Sequence, residues 1–276
     1  MYRKLFFVII LISIFSCAKK EVETFAPADS EMSYEVYKNA VKAMNDGDFF
    51  VAAKKFSESS LILPKMEDAA KASIMSSYCL YLINFYEEAT TNLEKFILKY
   101  PSNKNIPYAY YLIAISSYEQ ILDEKKDLEP LLVSKKKIEY FLKNYPNTEY
   151  AMDLKFKMDL INNQLAAKEL YVAKYYIKVQ KWIPAINRLK KIIQEYEETI
   201  FIEEALHRLV EIYYEIGLVN EAKASAALLG YNYNSGEWYQ QSYQLLNKDY
   251  KIKKKQEKKK NKNDGLIKRT IKKILG

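Results

Sequence analysis

Two thiols, one imidazole and scattered carboxylate pairs are the groups in this 276-residue chain that could do chemistry. The thiols are Cys17 and Cys79, and the imidazole is His207. Catalysis needs such groups in partnership: a thiolate beside a base, or two carboxyls in different environments. Their spacing supplies no such partnership. Cys79 sits between Tyr78 and Leu80 in a run of helical apolar period, which predicts a buried small hydrophobe. His207 belongs to a different repeat, and one histidine by itself completes neither a metal site nor an acid–base pair. Glu197-Glu198 and Glu203-Glu204 read as solvated charges at helix starts rather than a glycosidase pair. The sequence holds no Gly-x-Ser-x-Gly, no phosphate-binding loop, no His-Glu-x-x-His and no Cys/His cluster of metal spacing. A protein without catalytic residues, metal or cofactor is expected.

Cys17 points to a different chemistry. Arg3 and Lys4 precede an apolar run, 5–15, that is too short to span a bilayer as a mature helix. The run ends Ile14-Phe15-Ser16-Cys17, which resembles a bacterial lipobox: aliphatic, then a small residue, then cysteine. A small residue before the cut fits the peptidase, and the Cys17 thiol takes a diacylglycerol, the palmitate-type modification expected here. Each buried CH₂ contributes roughly 0.8 kcal/mol, so two or three acyl chains anchor firmly. Residues 1–16 are then a lipoprotein signal peptide and 17–31 a lipidated tether, with Pro27, Ala28 and Ser30 and no apolar period. Ala18, rather than aspartate, after the lipidated cysteine favours the outer membrane of a Gram-negative cell, with the domain on its periplasmic face. An ordinary signal peptide cut elsewhere and a signal anchor are the alternatives.

The formal charge of +8 is unevenly spread. Residues 248–276 hold 13 Lys or Arg against 3 Asp or Glu, a local charge of +10, so the rest sums to −2. A nearly neutral body on an exported chain argues against nucleic-acid binding. Within that tail, helical spacing puts Leu266, Ile267, Ile271, Ile274 and Leu275 on one side, with Lys268, Arg269, Lys272 and Lys273 largely opposite. This pattern suits a membrane surface or an acidic partner.

The body, 32–247, is built from repeats. Ala52, Phe56 and Pro64 stand at offsets that recur as Ala89, Leu93, Pro101 and as Ser134, Ile138, Pro146. Looser copies follow at Ala185, Leu189, Glu197 and at Ala222, Ala226, Asn234. A small residue, a large apolar one four later and a breaker eight later again form the second-helix pattern of a tetratricopeptide repeat. The small residue permits close helix approach, and proline closes the helix. First helices carry Ala40, Ser77, Ala114, Ala173 and Val210 at the matching position. The fold expected is all-α, a solenoid of about five helical hairpins. A charged loop is expected over 122–130 and a long first helix over 150–176.

Such stacks bind through the face lined by their first helices. Tyr78, Tyr81, Tyr108 and Tyr111 are the residues proposed to line it, in company with Tyr86, Tyr110 and Tyr118. Tyrosine offers wide contact at low entropy cost and a hydroxyl for peptide groups.

More specific runs follow: Tyr145-Pro-Asn-Thr-Glu-Tyr-Ala, Leu165-Ala-Ala-Lys-Glu-Leu-Tyr-Val-Ala-Lys-Tyr-Tyr, Trp182-Ile-Pro-Ala-Ile-Asn-Arg-Leu, Glu204-Ala-Leu-His-Arg-Leu-Val-Glu and Asn234-Ser-Gly-Glu-Trp-Tyr. With the lipobox, these make the chain resemble the BamD family of outer-membrane assembly lipoproteins, to about Tyr243. The resemblance implies a scaffold in the machine that inserts β-barrels. Its C-terminal repeats would dock a POTRA domain of a BamA-like insertase, its N-terminal groove would receive unfolded outer-membrane proteins, and other assembly lipoproteins would be neighbours. It further implies that Trp182, Asn187 and Arg188 on the fourth repeat bind the insertase, with Arg188 making the central contact. Glu197 and Asn234 stand where the family usually has proline, which is expected to loosen those helix ends. The alternative is another exported repeat adaptor, Tol–Pal-associated or regulating a cell-wall enzyme.

Overall fold

Among the described residues, four with left-handed backbone mark out the repeat: Gly47 (φ 81°), Asn84 (φ 64°), Gln180 (φ 53°) and Gly217 (φ 82°). At each, the next residue's N–H reaches five residues back: Asp48 to Ala43, Phe85 to Leu80, Lys181 to Tyr176 and Leu218 to Tyr213, at 2.8–2.9 Å. The left-handed residue itself bonds three back, to Met44, Tyr81, Ile177 and Tyr214. This double closure is the Schellman stop, which satisfies the last carbonyls of a helix and turns the chain into the next one.

The computed structural model describes residues 30–121, 128–234 and 236–247. Within them lie the helices α1 (Ser30–Asn45), α2 (Phe49–Ile62), α3 (Met66–Leu82), α4 (Tyr86–Lys99), α5 (Ile106–Glu119), α6 (Glu129–Asn144), α7 (Ala151–Lys178), α8 (Trp182–Glu195), α9 (Ile202–Glu215), α10 (Val219–Asn232) and α11 (Glu237–Leu246). Among the described residues no strand occurs, and no helix is long and apolar enough to cross a membrane. The fold is all-α, a repeat of helical hairpins of the tetratricopeptide type. Cys17, the leader 1–16 and the basic tail 248–276 lie outside the described residues.

The packing positions behave as the repeat requires. Ala40, Ser77, Ala114, Ala173 and Val210 on first helices are all fully buried. So are Ala52, Phe56, Ala89, Leu93, Ser134, Ile138, Ala185, Leu189 and Ala222 on second helices, with Ala226 at 2 % exposure. Methyl-sized contacts at both helices bring the axes close, and the large residue one turn on fills the space beside them. Asp48 adds a side-chain cap at α2, accepting from the Val51 N–H at 3.2 Å.

The helices gather into two compact units. The first takes 136–154 along with the described residues up to 122. There Phe56, Leu63, Ala72, Cys79, Leu80 and Ala89 share a core bordered by Tyr37, Phe49 and Tyr81. The second comprises the described residues of 123–135 and those from 155 onward. In it Ile202, Leu206 and Leu229 are packed by Ile193, Tyr233, Trp238 and Tyr239.

Several expectations need correction. α1 begins at Ser30, so the tether drawn to residue 31 ends about two residues sooner. Of the loop expected over 122–130, residues 122–127 lie outside the described residues, and Pro130 is not in a loop: α6 starts at Glu129, and proline is tolerated in a first turn because its missing N–H would be unbonded there. Glu197 and Asn234 do not loosen their helices. α8 and α10 are 14 residues long, as are the Pro-terminated α2 and α4. Their closing residues, Tyr196 (φ −136°, ψ 38°) and Tyr233 (φ −137°, ψ 48°), match Tyr100 before Pro101 (φ −128°, ψ 57°). Each donates its N–H to the carbonyl four residues back, as Tyr145 does before Pro146. Tyr100 and Tyr196 are also buried, so the anchored tyrosine ends the helix and proline is dispensable. Finally, α11 follows the fifth hairpin and packs on α9 and α10, an element the repeat pattern does not announce.

Candidate functional site

In the first unit the tyrosines come together. Tyr78 and Tyr81 lie one turn apart on α3, Tyr108 and Tyr111 one turn apart on α5, and α3 and α5 are in contact. The rings of Tyr108 and Tyr111 stack at 6.2 Å, and Tyr81 meets Tyr86 at 5.7 Å. Tyr150, just before α7, stacks on Tyr111 at 4.8 Å and tilts against Tyr108 at 5.4 Å. Tyr111 donates its hydroxyl to Asp153 Oδ2 at 3.1 Å.

Electrostatics agree with the grouping. Burial, then the neighbouring phenols of Tyr78, Tyr150 and Tyr81, push the Tyr108 hydroxyl well above its ordinary pKa. Burial, then the Asp153 carboxylate, does the same to Tyr111. These phenols stay protonated donors throughout the physiological range. The result is a half-buried aromatic strip with hydroxyls and one carboxylate, able to hold an extended chain by ring contact and hydrogen bonds. Tyr110 does not join it. It turns to the opposite side of α5 and packs on Tyr140 (5.0 Å) and Tyr145 (5.6 Å), because residues two apart point to different sides of a helix. Tyr150 is not among the tyrosines expected from the repeat, although it stands within the Tyr145-Pro-Asn-Thr-Glu-Tyr run.

The second unit holds Arg188. Its Nη1 donates to Glu169 Oε2 at 3.0 Å, and Lys191 Nζ donates to Glu169 Oε1 at 2.7 Å. Glu169 is 9 % exposed, so a carboxylate on the inner face of α7 is held by two cations one turn apart on α8. Its hydrogen bond raises the Lys191 pKa against the lowering effect of burial. Arg188 remains about half exposed beyond that contact, with Nη2 and Nε left for an incoming acceptor. An expected two-pronged grip on a partner carboxylate therefore starts with one Arg188 nitrogen already engaged. Glu169 is not among the residues singled out from the sequence. Its signal is legible all the same: it lies one turn before Ala173, on the close-packed face, where a carboxylate must find a cation. Trp182, Asn187 and Arg188 do not share a face, since about 100° per residue separates their directions around α8.

A second network ties α11 down. Glu204 accepts from Lys174 at 2.7 Å and from Arg208 at 3.2 Å, so it is not the solvated helix-start charge that the sequence suggests. Arg208 also reaches Glu211 at 2.6 Å and lies 5.3 Å over the Trp238 ring. His207, buried, sets Nε2 3.3 Å from Glu211 and Nδ1 2.8 Å from Ser242 Oγ, with Trp238 against its ring at 5.1 Å. Burial pushes the Glu211 carboxyl up, but the hydrogen bonds from His207 and Arg208 outweigh it and leave its pKa below the ordinary value. The one histidine is thus spent on joining α9 to α11. Cys79 is buried, and burial raises its thiol to about 11, far from a reactive thiolate. Among the described residues, no group of three or more His, Cys, Asp or Glu is placed to hold a metal ion.

The model of a family described as YfiO, outer membrane lipoprotein, matches residues 29–228, a span that takes in both the tyrosine strip and Arg188. Outer membrane protein assembly factor BamD of Caulobacter vibrioides is 35% identical over 240 residues, covering 87% of this chain and 79% of that protein. The factor of the same name from Rickettsia prowazekii is 38% identical over 211 residues, 76% of this chain and 84% of its own. That of Xylella fastidiosa strain Temecula1 is 27% identical over 227 residues, 78% of each chain.

Proposed function

The chain belongs to the YfiO family of outer membrane lipoproteins, that of the assembly factor BamD, and from this membership we propose that it is a scaffold for outer-membrane protein assembly that works by binding rather than catalysis. The similarity to curated assembly factors across most of the chain is what carries the reading. The proposed anchor is a lipid on Cys17, holding the repeats at the periplasmic face of the outer membrane.

Two surfaces divide the work in this reading. The α8 face around Arg188 docks a POTRA domain of a barrel insertase. A planar guanidinium with two donor nitrogens, Nε and Nη2, still open suits a carboxylate there, and the Glu169 clamp fixes the side chain before binding, which lowers the entropy lost on docking. The strip of Tyr78, Tyr81, Tyr108, Tyr111 and Tyr150 takes the aromatic-ended terminal strand of an unfolded barrel protein. Other assembly lipoproteins are expected as neighbours in the same complex.

Depletion in the native cell tests the function. Outer-membrane β-barrels are expected to fall several-fold in the membrane fraction while other lipoproteins stay unchanged. Unaltered barrel levels after complete depletion would contradict the reading. The anchor is tested separately: mature-sized Cys17→Ala protein is expected in the soluble periplasmic fraction after a high-salt wash in cells lacking the insertase, and retention of that mature-sized protein in the membrane would refute it.

A further inference from the structure

One face of the second unit has apolar side chains beside acid that neighbouring cations offset only in part. On α7, Phe156, Asp159, Leu160 and Asn163 follow at three- and four-residue steps and share a side. Phe156 is 62 % exposed and Leu160 37 %. The turn after α8 comes against them, where Ile200, 80 % exposed, donates its N–H to Asn163 Oδ1 at 3.3 Å. Between helix and turn opens a cavity of about 170 Å³ lined by Asp159, Asn162, Glu195, Glu197, Glu198 and Thr199, among others. Its four carboxylates are exposed, and among the described residues no ion pair holds those of Asp159, Glu197 or Glu198. Lys155, one turn before Asp159 on α7, and Lys191, which feels the Glu195 carboxylate, offset only part of that charge. Asn162 Oδ1 is buried there without a hydrogen-bond partner, an acceptor that a donor entering the cavity would satisfy.

Acid at the centre and apolar side chains at the edge call for a segment of the reverse pattern. The chain carries one. Residues 266–276 supply Leu266, Ile267, Ile271, Ile274 and Leu275 at helical spacing with Lys268, Arg269, Lys272 and Lys273 between them. They are joined to Asn247, the last described residue and itself in this unit, by residues 248–265. A linker of that length reaches up to about 60 Å when extended, ample for any point on the unit. We infer that this basic segment docks in cis on the Phe156–Leu160–Ile200 face, its lysines against Asp159, Glu195, Glu197 and Glu198. Docking covers three large apolar side chains and supplies donors to Asn162. It also neutralises charge that the nearly neutral body leaves in excess at this place. Because both charge sets are exposed, the contact weakens with salt.

A photocrosslinking benzophenone residue at position 271 of the full-length chain, purified dilute in neutral detergent, reads this contact. Adducts are expected within 156–163 and 195–200 of the same molecule. They should fall at least five-fold at about 0.5 M salt, where the screening length is a few ångströms. They should fall as far in the variant Asp159→Asn, Glu195→Gln, Glu197→Gln, Glu198→Gln. Should that variant unfold, Lys268→Gln, Arg269→Gln, Lys272→Gln, Lys273→Gln removes the same charge pairs from the tail side and must give the same loss. Adducts elsewhere on the chain, adducts only between two molecules, or adducts indifferent to both variants would overturn the inference. So would transfer of the adducts to phosphatidylglycerol vesicles that the surface variant leaves unchanged, since the segment would then be a membrane binder.

Discussion

Arg188 Nη1 donates to Glu169 Oε2 at 3.0 Å across the α7–α8 hairpin, while Lys191 takes the other oxygen at 2.7 Å. The carboxylate is the shared member, so the two sides of the clamp are not equal. Arg188→Ala leaves Glu169 paired with Lys191, and since the Arg188 side chain is 45 % exposed, the loss is expected to stay below about 1 kcal/mol. Glu169→Gln leaves two cations facing an amide, and the expected cost is about 1–2 kcal/mol after allowance for screening. Urea unfolding of both variants measures this. A larger loss in Arg188→Ala than in Glu169→Gln would contradict the shared-carboxylate arrangement.

Gln180 occupies the left-handed position that Gly47 and Gly217 fill in the first and last hairpins. A side chain there costs roughly 1 kcal/mol or more, because Cβ crowds the following carbonyl. Gln180→Gly is therefore expected to stabilise the chain by about 0.5 kcal/mol, the strain relieved exceeding the added freedom of the unfolded chain. Gly217→Ala should do the reverse and by more. Thermal midpoints read both, and destabilisation by Gln180→Gly would contradict the geometry.

The tyrosine strip gives a pH dependence. Burial raises the pKa of Tyr108 and Tyr111 above the ordinary value when folded, so the folded state favours the neutral phenol. That contribution is fully present below the unfolded pKa of about 10 and is lost as pH rises toward the folded values. The urea midpoint should fall as the pH rises above about 10, and less steeply in Tyr108→Phe/Tyr111→Phe. An equal fall in the double variant would place the alkaline sensitivity elsewhere.

The repeat is legible in the sequence because its positions obey one rule. Ala52, Ala89, Ser134, Ala185 and Ala222 are all fully buried, as small residues at a close helix contact must be. What stays hidden depends on partners far along the chain. Glu169 and Arg188 are 19 residues apart, and Tyr111 and Asp153 are 42 apart; neither pairing follows from local spacing. The helix ends mislead because proline is a strong local sign, whereas the stop comes from tyrosine. Tyr100, Tyr145, Tyr196 and Tyr233 each stand eleven residues after the small residue of their repeat. Part of the tyrosine richness is thus structural. α11 escapes the repeat pattern because its hold on the unit comes from Trp238 and Ser242 meeting His207, which no repeat position encodes.

Co-purification of the barrel insertase with Arg188→Glu from detergent-solubilised outer membrane tests the central claim most directly. The substitution sets a carboxylate where a cation should meet one, and truncating or reversing a desolvated charge at an interface costs about 2–5 kcal/mol. The account predicts at least ten-fold less insertase on the variant than on the unaltered chain, with the helical circular dichroism signal unchanged. Equal recovery of insertase on the two would contradict it.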